Sequence, residues 1–154
     1  VQPSRTMVRM IELFEGKPVT MAWGVVYDAL RTRLIDAAEN NLTALTYGRH
    51  GEVVRHFSFT EHTFVPDVLL VAAPTWARLS RAEQELFRAA ARESYAYQAE
   101  LWARAETASR TAAEKLGVAF LEPDKAPFME RVRPLRDEID DPALARLIGR
   151  VDGA

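Results

Sequence analysis

The stretch "SRAEQELFRAAARESYAYQAELWARAETASRTAAEKL", residues 80–116, decides how the chain is read. It contains neither Gly nor Pro and is heavy in Ala, Glu, Arg and Gln, so nearly every position favours helix. Ser80 followed by Glu83 is a capping box, in which each residue satisfies the other's backbone N–H. The pattern predicts one helix from about Ser80 to about Leu116, stopped by Gly117. At the helical rise it is roughly 55 Å long, more than a small domain is wide. Such a helix bridges two bodies, bends, or is shared with a partner. Its charges, Glu100 and Arg104 among them, read as a solvated face with i,i+4 pairs.

Upstream of the long helix, strand and helix patterns alternate, which favours an α/β layout over a helical bundle. Ser4 is an N-cap for "RTMVRMIELFEG", whose Met7, Met10, Ile11 and Phe14 recur at helical spacing. Gly16 ends that helix and Pro18 prevents its return. "VTMA" (residues 19–22) reads as a short strand, and "WGVVYDALRTR" as an amphipathic helix with Trp23, Val26, Tyr27 and Leu30 on one face. "LIDAA" (residues 34–38) is apolar enough for a buried strand, and "NLTALTYG" for a brief helix stopped by Gly48. From Val53 to Ala73 the composition turns extended, with Pro66 at a kink or boundary. Trp76, in "PTWARLS", wedges the start of the long helix against the core. Trp102, like Trp76, reads as packing rather than ligand stacking. Beyond Gly117, "VAFLE" is a strand, and "DKAPFMERVRPLRDEI" and "PALARLIGRV" are closing helices, the first broken near Pro134 and the last capped by Asp140 and Asp141.

The 154 residues suit one domain with a real core. A net charge of −2 offers no basic excess to recruit nucleic acid or an anionic membrane. There is no cysteine, so disulfides and thiolate metal sites are excluded. The apolar run "VLLVAA" at 68–73 is far too short to cross a bilayer. His50, His56 and His62 are evenly spaced, yet six extended residues cover roughly 20 Å, so the spacing does not make a metal site. No catalytic constellation stands out: Ser4 and Ser80 are caps, Ser94 lies on the helix surface, and no Gly-rich phosphate loop is present. The expectation is no catalytic residue, no metal and no cofactor. Local pattern leaves one question open, at Glu39, Asn40 and Asn41: three polar side chains in a row cap a helix, meet a ligand, or sit in water.

The order of several segments resembles the C-terminal half of the periplasmic solute-binding proteins of TRAP (tripartite ATP-independent periplasmic) transporters. The resemblance runs from "VQPS" through "PVTMAWGVVYDALRTRLIDAAENN" to "TEHTFVPDVLLVAAPTWARLSRAEQELFRAAARES", without a gap from Val1 to about Arg92. It continues more loosely through the long helix and "LGVAFLEPDKAPFMERVRPL". Family members typically read P-x-P-M-x-F/W-x-E-V-Y-x-A-L-Q-x-G-x-x-D-G-x-E-N-P, then a T-x-H segment, then W-x-x-L before a long helix. This chain departs at Asn41, where proline is usual, at Ala37 and Ala38 in the G-x positions, and at Val25 in place of glutamate.

The resemblance implies an α/β fold, the second lobe of a two-lobed periplasmic binding protein with one long bridging helix. Residues 1–65 and 106–154 would form that lobe. Residues 66–105 would carry a hinge-crossing strand and the first part of the long helix, packed on the other lobe. It implies a non-enzymatic periplasmic receptor for a small organic anion, a carboxylate, which it delivers to the transporter's membrane subunits. Asn40 would bond the ligand's carboxylate, and Trp23 would pack against the ligand. Asp67 matches a variable cleft-facing position that selects a ligand hydroxyl or amine, or it is an exposed residue beside Pro66. His62 would hydrogen-bond near the hinge, and Glu39 would tether a neighbour. The family's arginine clamp would stand immediately before Val1, with the N-terminal lobe ahead of it. The rival reading is an α/β interaction module that oligomerises through its long helix, for which an exposed apolar stripe along residues 86–102 would speak.

Overall fold

A computed structural model describes residues 1–64 and 66–152. In chain order it places α1 (Arg5–Leu13), α2 (Trp23–Arg31), α3 (Ala44–Tyr47), a 3-10 turn (His50–Glu52) and β1 (His56–Ser58). Then follow α4 (Ala73–Ala77), α5 (Arg81–Lys115), β2 (Ala119–Leu121), α6 (Ala126–Val132), α7 (Pro134–Asp137) and α8 (Pro142–Asp152). The fold is α/β, helix-rich, with a two-stranded parallel sheet. Val65, inside the expected extended run, and residues 153 and 154, at the end of the expected lobe, lie outside the described residues.

The long helix is continuous. Both halves of its capping box are formed: the Glu83 N–H donates to Ser80 Oγ at 3.3 Å, and the Ser80 N–H donates to Glu83 Oε2 at 2.7 Å. The cap holds Glu83 below the usual carboxylate range, because the Ser80 hydroxyl and backbone both bond the ionised form. Trp76 sits just ahead of that cap. Gln84 donates its amide to the Trp76 carbonyl at 3.1 Å, and the Arg88 guanidinium lies 4.8 Å from the Trp76 ring centre.

Three helices end in the same way. A residue in the left-handed region follows the C-cap, and the next N–H reaches back to the carbonyl five residues earlier. In α5 the left-handed residue is Gly117 (φ 86°), and the Val118 N–H donates to Ala113 O at 3.0 Å. In α1 it is Glu15 (φ 64°), with Gly16 N–H to Ile11 O at 2.9 Å. In α2 it is Arg33 (φ 59°), with Leu34 N–H to Ala29 O at 2.9 Å. Gly16 is therefore required for space rather than for φ, since a Cβ there would lie 2.8 Å from Ile11 Cγ2.

Two expected strands are absent. "LIDAA" is the chain leaving the α2 terminus, and Leu34 is 74 % exposed. "VTMA" is extended but meets only the chain's first residue: the Val1 amino group donates to Val19 O at 2.9 Å and Met21 N–H donates to Val1 O at 3.2 Å. One residue makes no ladder. The long extended run condenses to the three residues of β1, which pair in parallel with β2 at the register His56–Ala119, Phe57–Phe120 and Ser58–Leu121. Parallel neighbours need a long crossover, and α5 supplies it.

The core sits where the C-terminal end of α5 meets α3 and the sheet. Leu42, Leu45, Ala113 and Val118 are buried, with Val54, Phe57, Phe59 and Phe120 packed against them. Phe57 and Phe59 share one face of the strand, their ring centres 5.1 Å apart, and Phe120 lies 5.8 Å from each. The Arg110 guanidinium covers Phe120 at 4.9 Å. The Thr46 and Ser109 hydroxyls, 2.7 Å apart, tie α3 to α5. A second layer forms at the other end, where Phe14 meets Phe128 edge-on and Arg9 donates to Glu138 at 2.8 Å, clasping α6 and α7 onto α1.

Burial is lopsided. Among the described residues, none from 52 to 108 is buried. Val68, Leu69 and Leu70 are 69 %, 78 % and 81 % exposed, and Leu86, Phe87, Tyr95, Tyr97, Leu101 and Trp102 of α5 are exposed as well.

Candidate functional site

The three consecutive polar residues do three different jobs. Asn41 organises the turn into α3: its Oδ1 accepts from Thr43 Oγ1 at 2.7 Å, and its carbonyl accepts from the Ala44 N–H at 3.1 Å. Glu39 turns toward His62, beyond the end of β1. Its Oε2 lies 3.8 Å from His62 Nε2, both side chains 18 % exposed. His62 Nδ1 is 2.7 Å from Thr60 Oγ1, while Nε2 is buried with no hydrogen-bond partner. The contact becomes an ion pair when the imidazole is protonated. Asn40, between them, is half-buried and lines a small depression. The Asn41 N–H donates to Asn40 Oδ1 at 2.9 Å, which leaves the amide NH2 of Asn40 as a donor.

Asn40, Glu39 and Trp23 line one small, partly enclosed depression of about 20 Å³, together with Val1, Gln2 and Met21. The pairing of Val1 with Val19 and Met21 brings the start of the chain to this rim. Trp23 is the first residue of α2 and is 45 % exposed. Behind it lies His50, ring centres 4.9 Å apart and planes at 46°. Arg49, in the left-handed region at φ 58°, turns the chain so that His50 comes under the ring. His50 is 5 % exposed, and burial holds its imidazole below the ordinary value, in the neutral form. The depression thus offers an aromatic wall and an amide donor, with a carboxylate drawn aside toward a histidine. An amide N–H donor suits a carboxylate, and an aromatic face suits an apolar surface beside it.

Asp67 is exposed and does not line this depression. The three evenly spaced histidines fall into a buried turn, an exposed strand position and the contact with Glu39. Among the described residues, no group of three His, Asp or Glu side chains is placed to hold a metal ion. A wider concavity along Glu100, Arg104, Thr107 and Lys115 is the open flank of α5 alone, with no polar groups converging from a second element. Gly48 and His50 were not legible as neighbours of Trp23. One reads as a helix stop and the other as a member of a histidine series, and nothing in the spacing brings either back to residue 23.

Residues 1–141 match the family model described as bacterial extracellular solute-binding protein, family 7. The chain belongs to this family of solute-binding proteins. It is 36 % identical to the uncharacterised protein YiiZ of Salmonella typhimurium, over all of this chain and 48 % of that protein. Among solved structures it is similar to a TRAP periplasmic solute-binding protein from Xanthobacter autotrophicus Py2 with bound β-D-galacturonate. Identity is 37 % and the TM-score 0.88, over all of this chain and 52 % of that one. The TRAP periplasmic solute-binding protein of Chromohalobacter salexigens, with bound D-glucuronate, is 34 % identical with a TM-score of 0.83, over 90 % of this chain and 46 % of that one. The chain spans about half the length of the curated relatives it matches. Its fold is that of one part of a two-lobed solute-binding protein with its long helix. No helix among the described residues is long and apolar enough to cross a membrane.

Proposed function

We propose that this chain is the second lobe and bridging helix of a periplasmic TRAP receptor for a hexuronate, which it hands to the transporter's membrane subunits without chemical change. The observation that carries the reading is the meeting of Trp23 and Asn40 in one small depression, in a chain 37 % identical to a galacturonate-bound solute-binding protein. A hexuronate has an apolar C–H face and a carboxylate. An indole covers the first, excluding water, and an amide NH2 donates to the second. The neighbouring Glu39 carboxylate lines the same depression and has His62 at 3.8 Å as a partner of its own. Asp67 belongs to the segment that crosses to the other lobe, where it would face the closed cleft.

The division into residues 1–65 with 106–154 and residues 66–105 is supported by burial. The buried residues fall at 10–51 and 109–118, and the exposed apolar ones concentrate in 64–71 and 86–102. A continuous run such as Val68-Leu69-Leu70-Val71 suits a strand covered on both faces. An opposing lobe supplies that cover and the other wall of the cleft, and ligand closes the two by a hinge motion. The test is calorimetry on the full-length receptor and on this chain, with D-galacturonate, D-glucuronate and neutral D-galactose. The full-length receptor binds a uronate and rejects galactose, while this chain binds at least about a hundredfold more weakly, having one wall of the cleft. Equal binding by both proteins, or galactose bound as well as uronate, overturns the reading.

The exposed side chains Leu86, Phe87, Tyr95, Tyr97, Leu101 and Trp102 also favour the second reading, an interaction module that self-associates through α5. The two part on the full-length protein. A receptor covers these residues with its other lobe and sediments as a monomer at all concentrations, whereas an oligomerising module shows concentration-dependent mass.

A further inference from the structure

We infer that Gly48 and His50 form a cradle that sets the plane of the Trp23 indole, and through it the receptor's preference between uronates epimeric at C4. This rests on the hexuronate reading above, and it assigns specificity to two residues that do not touch the ligand.

The geometry is a close approach that only glycine permits. Gly48 sits at the C-cap of α3 with φ −88° and ψ −3°, a conformation any residue adopts. Backbone freedom is therefore not what requires glycine here. Space is: a Cβ at Gly48 would lie 2.8 Å from Trp23 Cζ2, 2.9 Å from Cη2 and 2.8 Å from the Ala44 carbonyl oxygen. Real Cβ atoms essentially never come under 3.0 Å, and the carbonyl belongs to α3, so the indole is the partner that gives way. On its other contact the ring leans on His50, which is itself buried and fixed by the turn at Arg49. The benzo edge of the indole is thus held against the backbone while its remaining surface looks into the depression shared with Asn40. Burial keeps His50 neutral, so the face behind the indole carries no charge to attract a carboxylate away from Asn40.

Ring plane matters because the two uronates differ only at C4. Galacturonate carries an axial O4 and presents a continuous C–H patch on one face, which a flat ring covers. Glucuronate carries O4 equatorially, and its hydroxyls project around the rim. With the carboxylate pinned at Asn40, a small rotation of the indole changes how closely each sugar's C–H face seats. Gly48 and His50 are positioning residues for that contact.

The experiment is a double-mutant cycle in the full-length receptor: wild type, Gly48→Ala, Trp23→Phe and the double variant, each titrated with D-galacturonate and D-glucuronate. Phenylalanine lacks the Cζ2 and Cη2 atoms that the new Cβ would meet. Gly48→Ala should change the ratio of the two affinities by about tenfold, within the range of coupled neighbours, and should have no such effect in the Trp23→Phe background. A structural defect acting through the Ala44 carbonyl persists in both backgrounds and overturns the inference. In a full-length background where every tryptophan except Trp23 is phenylalanine, Gly48→Ala should shift the emission spectrum before any ligand is added. Unchanged emission with an unchanged affinity ratio also overturns it. A wild-type receptor that binds neither uronate fails the hexuronate reading instead, which keeps the two failures apart.

Discussion

Replacing Asn40 by aspartate separates a ligand contact from a turn residue. The Asn41 N–H donates to Asn40 Oδ1 at 2.9 Å, and this bond fixes which amide atom faces the backbone. Aspartate keeps that acceptor, so the local turn survives, but it replaces the amide NH2 with a second carboxylate oxygen. Against a bound uronate, losing a hydrogen bond to a charged group costs about 1.5–3 kcal/mol. An anion placed roughly 4 Å from the ligand's carboxylate adds about 4 kcal/mol at an effective dielectric constant of about 20. Asn40→Ala suffers the first loss alone, about 10- to 150-fold in Kd, whereas Asn40→Asp suffers both and binds more than about a thousandfold more weakly. Stability runs the other way. Asn40→Asp melts with the wild type, and Asn40→Ala loses about 0.5–1.5 kcal/mol with its local bond.

The assay is calorimetry of the full-length receptor with D-galacturonate, beside a thermal melt of each variant without ligand. A purely structural Asn40 predicts the opposite order, alanine harmful to binding through the turn and aspartate harmless. Binding by Asn40→Asp within about threefold of wild type would refute the reasoning and remove Asn40 from the site.

Ser80→Ala removes the cap on α5 and should cost about 1 kcal/mol, seen as faster hydrogen exchange confined to the first turns of that helix. The His50 imidazole is held below its ordinary value by burial, so the folded state prefers the neutral ring. Its contribution is fully present above the unfolded value of about 6.5 and is lost as pH falls from there through the folded value. His50→Gln should flatten that part of the stability–pH curve measured by denaturant titration. The isolated chain should self-associate through its exposed apolar surface. Leu69→Glu with Leu86→Glu should lower its sedimentation-average mass toward that of a monomer without reducing its helix content by circular dichroism.

What the sequence shows and what it hides divide along a physical line. The long helix is legible because capping box, composition and the stop at Gly117 all act within a few residues of one another. β2 is legible as a short strand for the same reason, whereas β1 is only three residues of a longer run that reads as extended. "LIDAA" misleads because its apolar residues follow a helix end whose left-handed turn falls on Arg33, and no local rule announces a left-handed arginine. Left-handed Glu15 likewise shifts the end of α1 from where Gly16 suggests, whereas α3 stops at Gly48 as its sequence indicates. The candidate site follows the same division. Trp23, Glu39 and Asn40 are indicated only by resemblance, and the fold brings them together through contacts between residues far apart in sequence. Gly48 and His50 are reached only through the turn at Arg49. The exposed run at 68–71 is the reverse case: its composition asks for burial on both faces, and the chain as folded offers neither. A sequence whose local demand is left unmet by its own fold points to a surface outside it. The exposed residues of α5 make the same demand over several helical turns. Covering both with one body is the simplest arrangement.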